Sequence, residues 1–119
     1  MLAFYHLKNC SSCKRIIKEL GIGDFINLID IKNNPISENE LQLFKSLSGS
    51  YESLFSKKAQ LYNKRMLKEK NLTENDYKKL ILEHYTFLKR PILVFNKNIF
   101  VGNSSKIIQQ AKEVLDGQK

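Results

Sequence analysis

This sequence of 119 residues lacks long apolar runs and has few cysteines and few arginines. No segment approaches the roughly 18 consecutive apolar residues of a membrane span. The first residues, Met1-Leu2-Ala3-Phe4-Tyr5, have neither the basic region nor the small-residue cleavage site of a signal peptide. We therefore expect a cytoplasmic protein that makes no contact with a membrane.

Arginine is scarce although the chain is basic. The 20 Lys and Arg residues against 12 Asp and Glu give a net charge of +8, but only Arg15, Arg65 and Arg90 are arginines. The charge suits an anionic partner, whereas bidentate reading of phosphates and bases depends on the guanidinium group. Because the sequence also has no glycine-rich phosphate loop and no helix-turn-helix pattern, we expect no direct nucleic-acid binding.

The chain has only two cysteines, Cys10 and Cys13, and they form a Cys-X-X-Cys motif after the apolar run 2–7. In a reducing cytosol such a pair is typical of a catalytic, redox-sensing or metal-binding site rather than of a structural cross-link. A structural zinc site needs about four ligands, and His6 and His84 are the only histidines. We therefore expect no bound metal.

The motif lies where a helical pattern begins. The backbone N–H groups of Ser11, Ser12 and Cys13 would open that helix, and the unpaired donors and the helix dipole there stabilise a thiolate or an incoming oxyanion. In such motifs the first cysteine, Cys10, is usually the exposed thiol of low pKa, and the second resolves a mixed disulfide. Lys14 adds positive charge nearby.

The order of the predicted elements indicates an α/β fold with a four-stranded mixed sheet. A helix between the first two strands is ended by Gly21 and Gly23, so these strands should be parallel. Pro91 precedes a hairpin and fits a cis peptide bond, and a closing helix ends at Gly117. The strands are predicted at 2–7, 25–29, 92–95 and 99–101.

A helical insertion, from residue 37 to about 88, separates the second and third strands. Capping boxes are predicted at Ser37 with Glu40 and at Thr73 with Asp76, and the second helix should carry His84 on its apolar face. A basic cluster inside the insertion indicates a solvated helix face, with a docking surface for a partner as the alternative. Its members are Lys57, Lys58, Lys64, Arg65, Lys68 and Lys70.

Four segments together resemble a known family over essentially the whole chain. They are Tyr5-His6, Cys10 four positions after that histidine, Ser37-Glu38-Asn39-Glu40-Leu41, and Phe87-Leu88-Lys89-Arg90-Pro91-Ile92-Leu93-Val94. The chain is similar in these segments to arsenate reductases of the glutaredoxin-coupled type and to their relatives, the Spx-type regulators. The resemblance implies one thioredoxin-like domain over residues 1–119.

The resemblance to the reductases implies a mechanism. The Cys10 thiolate would attack arsenate, His6 would help to hold that thiolate, Arg90 would bind the anion, and Pro91 would be a cis-proline facing the cysteine. Cys13 or glutathione would then release arsenite and leave a disulfide. No cofactor would be bound, and glutathione with glutaredoxin, or thioredoxin, would be the reductant of this oxyanion- or disulfide-reducing protein.

The resemblance to the regulators implies a different function. Of the three arginines that bind the oxyanion in the reductases, the chain matches only Arg90, because the stretches 54–58 and 99–102 contain none. The Spx-type regulators carry a Cys-X-X-Cys and a hairpin glycine, which correspond to Cys10, Cys13 and Gly102. In this alternative a Cys10–Cys13 disulfide is a signal, and the protein binds RNA polymerase.

Overall fold

The computed structural model describes residues 2–22 and 26–117. Three-residue 3-10 turns lie at Glu52–Leu54, Leu67–Glu69 and Tyr85–Phe87. The strands are β1 (Leu2–His6), β2 (Asn27–Asp30), β3 (Ile92–Phe95) and β4 (Asn98–Val101), and the helices are α1 (Ser11–Leu20), α2 (Glu38–Ser48), α3 (Gln60–Lys64), α4 (Glu74–Glu83) and α5 (Ser105–Asp116).

The four strands form one mixed sheet in the order β2-β1-β3-β4. β1 is parallel to β2, with Tyr5 opposite Ile29, and antiparallel to β3, which pairs antiparallel with β4. The predicted α/β fold with a four-stranded mixed sheet is therefore confirmed. The second strand begins at Asn27 rather than at 25, and Gly23 and Phe25 lie outside the described residues.

Two compact units make up the chain. The first comprises Met1–Asn34 and Arg90–Lys119, and the second comprises Pro35–Lys89. The first unit holds the whole sheet with α1 and α5, and its core is apolar. Among the described residues, no helix has the length and hydrophobicity of a membrane span. One cluster of buried core residues in this unit comprises Phe4, Ile16, Leu20, Ile26, Leu93, Phe95, Ala111 and Leu115.

The second unit contains α2, α3 and α4, as predicted for an insertion between the second and third strands. Both predicted capping boxes are confirmed. The Glu40 N–H donates to Ser37 Oγ at 3.1 Å, and the Ser37 N–H donates to Glu40 Oε1 at 3.1 Å. Thr73 and Asp76 make the equivalent pair at 3.2 and 2.9 Å. These side chains satisfy donors that the first turn of each helix leaves unpaired.

Two details of the insertion were predicted wrongly. The helix α4 ends at Glu83, and His84 follows in an extended conformation in which its ring accepts a hydrogen bond from the Thr86 N–H. The basic cluster at 57–70 does not share one helix face, because α3 has only five residues and Met66 then adopts a left-handed conformation with φ 53°. The spacing of apolar residues in the sequence predicts neither the end of α4 at Glu83 nor the short length of α3.

The first capping box generates a prediction about stability. Ser37→Ala should lower the free energy of unfolding by about 1 kcal/mol, because the Glu40 N–H loses its acceptor. Ser46→Ala is the matched control, since Ser46 lies inside α2 and its hydroxyl donates only to the Leu43 carbonyl. Urea denaturation of both variants measures the difference, and equal losses would contradict the capping role.

Candidate functional site

The two cysteines lie at the junction between β1 and α1. A turn follows His6, and it is closed by a 3.0 Å hydrogen bond from the Cys10 N–H to the Leu7 carbonyl. Cys10 is the N-cap residue of α1, with φ −84° and ψ 115°. Cys10 itself is extended and the chain is helical from Ser11, which places the Cys10 thiol at the helix N-terminus.

The two thiols differ in their exposure to solvent. Cys13 is completely buried, on the same side of α1 as Ile16 and Leu20, whereas Cys10 is only partly buried. Both are free cysteines in this structure. A reagent or substrate in solution can therefore reach Cys10 directly. Cys13 is shielded from solvent, and its thiol contacts the Cys10 thiol.

The pKa values of the two thiols move in opposite directions. Partial burial opposes ionisation of Cys10, but hydrogen bonds from the Cys13 thiol and from the N–H groups of Cys13 and Ser12, together with the charge of Arg90, lower its pKa overall. Burial raises the pKa of Cys13 to about 11, although a hydrogen bond from the Leu7 backbone acts against this shift. Cys10 is thus the more readily ionised thiol of the pair, and Cys13 is its hydrogen-bond donor.

Arg90 lies immediately before β3 and acts on both thiols through its charge. Its Nη1 atom is buried and has no hydrogen-bond partner among the described residues. A buried donor without a partner costs about 1 to 3 kcal/mol, and more for a charged group. Because the charge of Arg90 also acts on the Cys10 thiol, an anionic ligand at this site would be a suitable acceptor for the missing bond.

The residue after Arg90 connects the site to the hairpin. The Arg90–Pro91 peptide bond is cis, and Pro91 is buried. The Pro91 carbonyl accepts a 2.9 Å hydrogen bond from the N–H of Gly102, which has φ 93°. This bond joins the start of β3 to the end of β4 and so fixes the backbone on which Arg90 is carried.

The remaining predicted site residues surround the start of α1. Ser11 and Lys14 are exposed and Ser12 is half-buried, and the first turn of α1 has no acidic residue. The helix dipole there acts on an anion without competition from a neighbouring carboxylate. The structure thus brings the N–H groups of this turn and the Arg90 charge close to the same thiol.

His6 is the last residue of β1 and is half-buried. Its carbonyl accepts a 2.9 Å hydrogen bond from the Ile31 N–H, and its ring centroid lies 5.7 Å from that of Phe4. These contacts fix the position of the ring at the strand end, four residues before Cys10. An effect of His6 on the thiolate stays a prediction.

No group of three or more His, Cys, Asp or Glu side chains in residues 2–22 and 26–117 is arranged to hold a metal ion. Sequence reasoning missed two features of the site: the hydrogen bond between the thiols and the unpartnered Arg90 Nη1. The spacing of Cys10 and Cys13 gave a signal for the first. Nothing in the sequence around Arg90 shows whether its guanidinium is paired.

The comparisons with known proteins identify the family. The model of the ArsC family matches residues 5–111, which is most of the chain. The chain belongs to the ArsC family. The resemblance predicted from the four sequence segments is therefore confirmed, for a family whose members include arsenate reductase-like and Spx-like proteins.

Individual relatives in the ArsC family have different descriptions. The chain is 24% identical over 116 residues to the regulatory protein MgsR of Bacillus subtilis, covering 94% of this chain and 91% of that protein. It is 31% identical to a possible arsenate reductase from Streptococcus mutans, with a TM-score of 0.66 and coverage of 83% and 87%. An arsenate reductase from Vibrio cholerae, 22% identical with a TM-score of 0.76 and coverage of 95% and 96%, shares the fold.

The opposite pKa shifts predict unequal reactivity of the thiols. At neutral pH, iodoacetamide should alkylate Cys10 at least roughly a hundredfold faster than Cys13, because the thiolate is the reactive form. As pH rises, the Cys10 rate should reach half of its plateau below the ordinary thiol pKa, whereas Cys13 should stay slow until pH approaches about 11. Mass spectrometry of the alkylated protein measures both rates.

A matched pair of variants serves as the control for this experiment. Cys13→Ser keeps a hydroxyl that can donate to the Cys10 thiolate, whereas Cys13→Ala removes the donor. The pKa of Cys10 measured by alkylation should therefore be higher in Cys13→Ala than in Cys13→Ser. Equal slow alkylation of both thiols in the wild type would contradict the assignment of Cys10 as the thiolate.

Proposed function

We propose that this chain is a cytoplasmic thiol–disulfide redox protein, built as one thioredoxin-like domain, with Cys10 as nucleophile and either Cys13 or glutathione as resolving thiol. The observation that carries the proposal is the hydrogen-bonded thiol pair at the start of α1, with the accessible thiol acidified and the buried one kept protonated. A thiol of low pKa readily forms the thiolate that attacks a substrate. A protonated thiol beside it can later displace the bound substrate by forming a disulfide with the first cysteine.

With arsenate as substrate, the Cys10 thiolate attacks arsenic and forms an S–As bond as an oxygen leaves as water. The second thiol, from Cys13 or from glutathione, loses its proton and attacks the Cys10 sulfur. The electron pair of the S–As bond stays with arsenic, which leaves as arsenite, and a disulfide forms. With a disulfide as substrate, Cys10 attacks one sulfur, the substrate S–S bond breaks, and the other sulfur leaves as a thiolate. The second thiol then loses its proton and attacks the Cys10 sulfur, so that the bound half of the substrate also leaves as a thiolate.

The proposed anion site consists of the first turn of α1 with Ser11 and Ser12, the Lys14 charge and the Arg90 guanidinium. The unpartnered Nη1 atom supports a role for Arg90 in holding an oxyanion oxygen. We propose that His6 favours the thiolate of Cys10 and that Pro91 presents the substrate opposite it. Glutathione with glutaredoxin, or thioredoxin, is the proposed reductant, and no bound cofactor is required.

The second candidate function is that of a Spx-like redox regulator. The similarity to MgsR over nearly the whole of both chains favours it, and so does the match to only one of the three family arginines. In this case oxidation of Cys10 and Cys13 to a disulfide changes the affinity for RNA polymerase, and no substrate is turned over. A regulator needs the same acidified thiol to sense an oxidant, but it does not need a complete oxyanion site.

Arsenate-dependent oxidation of NADPH distinguishes the two functions. The assay is run once with glutathione, glutaredoxin and glutathione reductase, and once with thioredoxin and thioredoxin reductase. A reductase should turn over arsenate in one of these systems and lose turnover in Cys10→Ser. Retention of activity by Cys13→Ser in the glutathione system would assign glutathione as the second thiol, and its loss would assign Cys13.

Variants of Arg90 test the anion site in the same assay. Arg90→Gln should raise KM for arsenate roughly tenfold to a hundredfold, the loss expected for a hydrogen bond to a charged group. Arg90→Lys keeps the charge without the planar fork and should be intermediate. Absence of turnover in both systems, with reversible oxidation of Cys10 and Cys13, would reject the reductase and favour the regulator.

A further inference from the structure

A basic turn in the second unit exposes a large apolar side chain. We define the Met66 turn as residues 63–70. It includes the end of α3 and the 3-10 turn Leu67–Glu69 that follows. Met66 is 57% exposed, the largest fraction among the exposed large hydrophobic residues that the structure describes. Leu67 is buried, so the turn is attached to its unit while Met66 extends into solvent.

The backbone at Met66 is held in a conformation that suits other residues better. Its φ of 53° lies in the left-handed region, which favours glycine and asparagine. The Met66 N–H donates to the Asn63 carbonyl at 3.1 Å, and its own carbonyl accepts from the Glu69 N–H at 3.2 Å. The turn therefore depends on this backbone conformation, although more than half of the methionine side chain is exposed to solvent.

A neighbouring arginine anchors the turn. The Arg65 guanidinium makes a two-pronged ion pair with Glu83, at 2.6 and 3.1 Å, and lies 5.7 Å from the ring centroid of the buried Phe87. These contacts restrain the guanidinium, and the Glu83 carboxylate neutralises its charge. Arg65 thus attaches the turn to the rest of the second unit, next to the exposed Met66.

The lysines of the Met66 turn are exposed and can form ion pairs with a partner. Lys64, Lys68 and Lys70 are exposed, and in the parts of the chain that the structure describes none of them forms an ion pair. Glu69 is the one acidic residue in the segment 63–70. The segment 63–70 is therefore basic, and it exposes one large apolar side chain together with three lysines.

We propose that the Met66 turn docks an acidic protein segment that carries an apolar side chain. The apolar residue of the partner would cover Met66, and its carboxylates would meet the three lysines. A flexible methionine adapts to apolar partners, and an apolar centre with a charged rim is the general composition of a protein interface. A nucleic acid fits less well, since the only arginine of the turn is occupied by Glu83 and Met66 offers nothing to a phosphate.

This inference does not depend on the proposed redox function, because every residue it uses lies in the second unit and none is a cysteine. Its test can therefore fail while the thiol chemistry stands, and the reverse is also true. The same experiment in the Cys10→Ser variant should give the same result as in the wild type.

The test is a titration of the isotope-labelled full chain with a synthetic peptide that alternates glutamate and leucine, followed by NMR. Amide shifts should move in the segment 63–70. Met66→Asn should weaken the peptide affinity by about tenfold, the loss expected when a large apolar side chain no longer covers its partner. Asparagine tolerates the left-handed conformation, so this variant keeps the turn.

Matched controls separate the surface from general charge and hydrophobicity. Lys64→Glu with Lys68→Glu should weaken binding roughly tenfold at low salt, whereas Lys106→Glu with Lys112→Glu, which makes the same charge change on exposed positions of α5, should have little effect. Leu43→Asn removes another exposed large apolar residue, which is 36% exposed, from α2 and should also have little effect.

Three results would overturn the proposal. The first is the absence of peptide binding by the wild type. The second is equal weakening by the Met66 turn variants and their controls, which would show that binding depends only on net charge. The third is tighter binding of single-stranded DNA than of the peptide, with an affinity for DNA that Met66→Asn does not lower. This result would assign the basic turn to a nucleic acid.

Discussion

The N-terminus of α1 is the feature on which the candidate site depends. The turn after His6 stops the strand, Cys10 caps the helix, and the N–H groups of Ser12 and Cys13 then act on the Cys10 thiol. The same helix geometry places Cys13 one turn later against the apolar core, where burial raises its pKa. One backbone arrangement thus produces a reachable thiol of lowered pKa and a buried thiol of raised pKa, which is the difference that thiol–disulfide exchange uses.

Local sequence signals predicted much of the fold and part of the site. The capping boxes at Ser37 and Thr73 and the parallel strand pair around α1 depend on neighbouring residues, and they are present as predicted. The unpartnered guanidinium of Arg90 depends on which distant groups surround it, and the short length of α3 depends on the left-handed backbone at Met66. The first feature arises from tertiary contacts and the second from a backbone conformation that methionine rarely adopts, and residue spacing encodes neither.

Membership of the ArsC family leaves the thiol pair open to two uses. A reductase must hold an oxyanion, and for this the chain offers the start of α1 and the single Arg90. A regulator must only respond to an oxidant and alter a surface. The relatives include both a possible arsenate reductase and the regulatory protein MgsR, so the difference between the functions lies in the anion site and in the partner surface rather than in the thiols.

The most direct test of the account is mass spectrometry of the protein after treatment with diamide and then with dithiothreitol. The account predicts one intramolecular disulfide between Cys10 and Cys13, seen as a loss of two hydrogens in the peptide that contains both residues and reversed completely by the reductant. Recovery of two free thiols after diamide, or of only intermolecular dimers through Cys10, would contradict the claim that the two cysteines act as a redox pair.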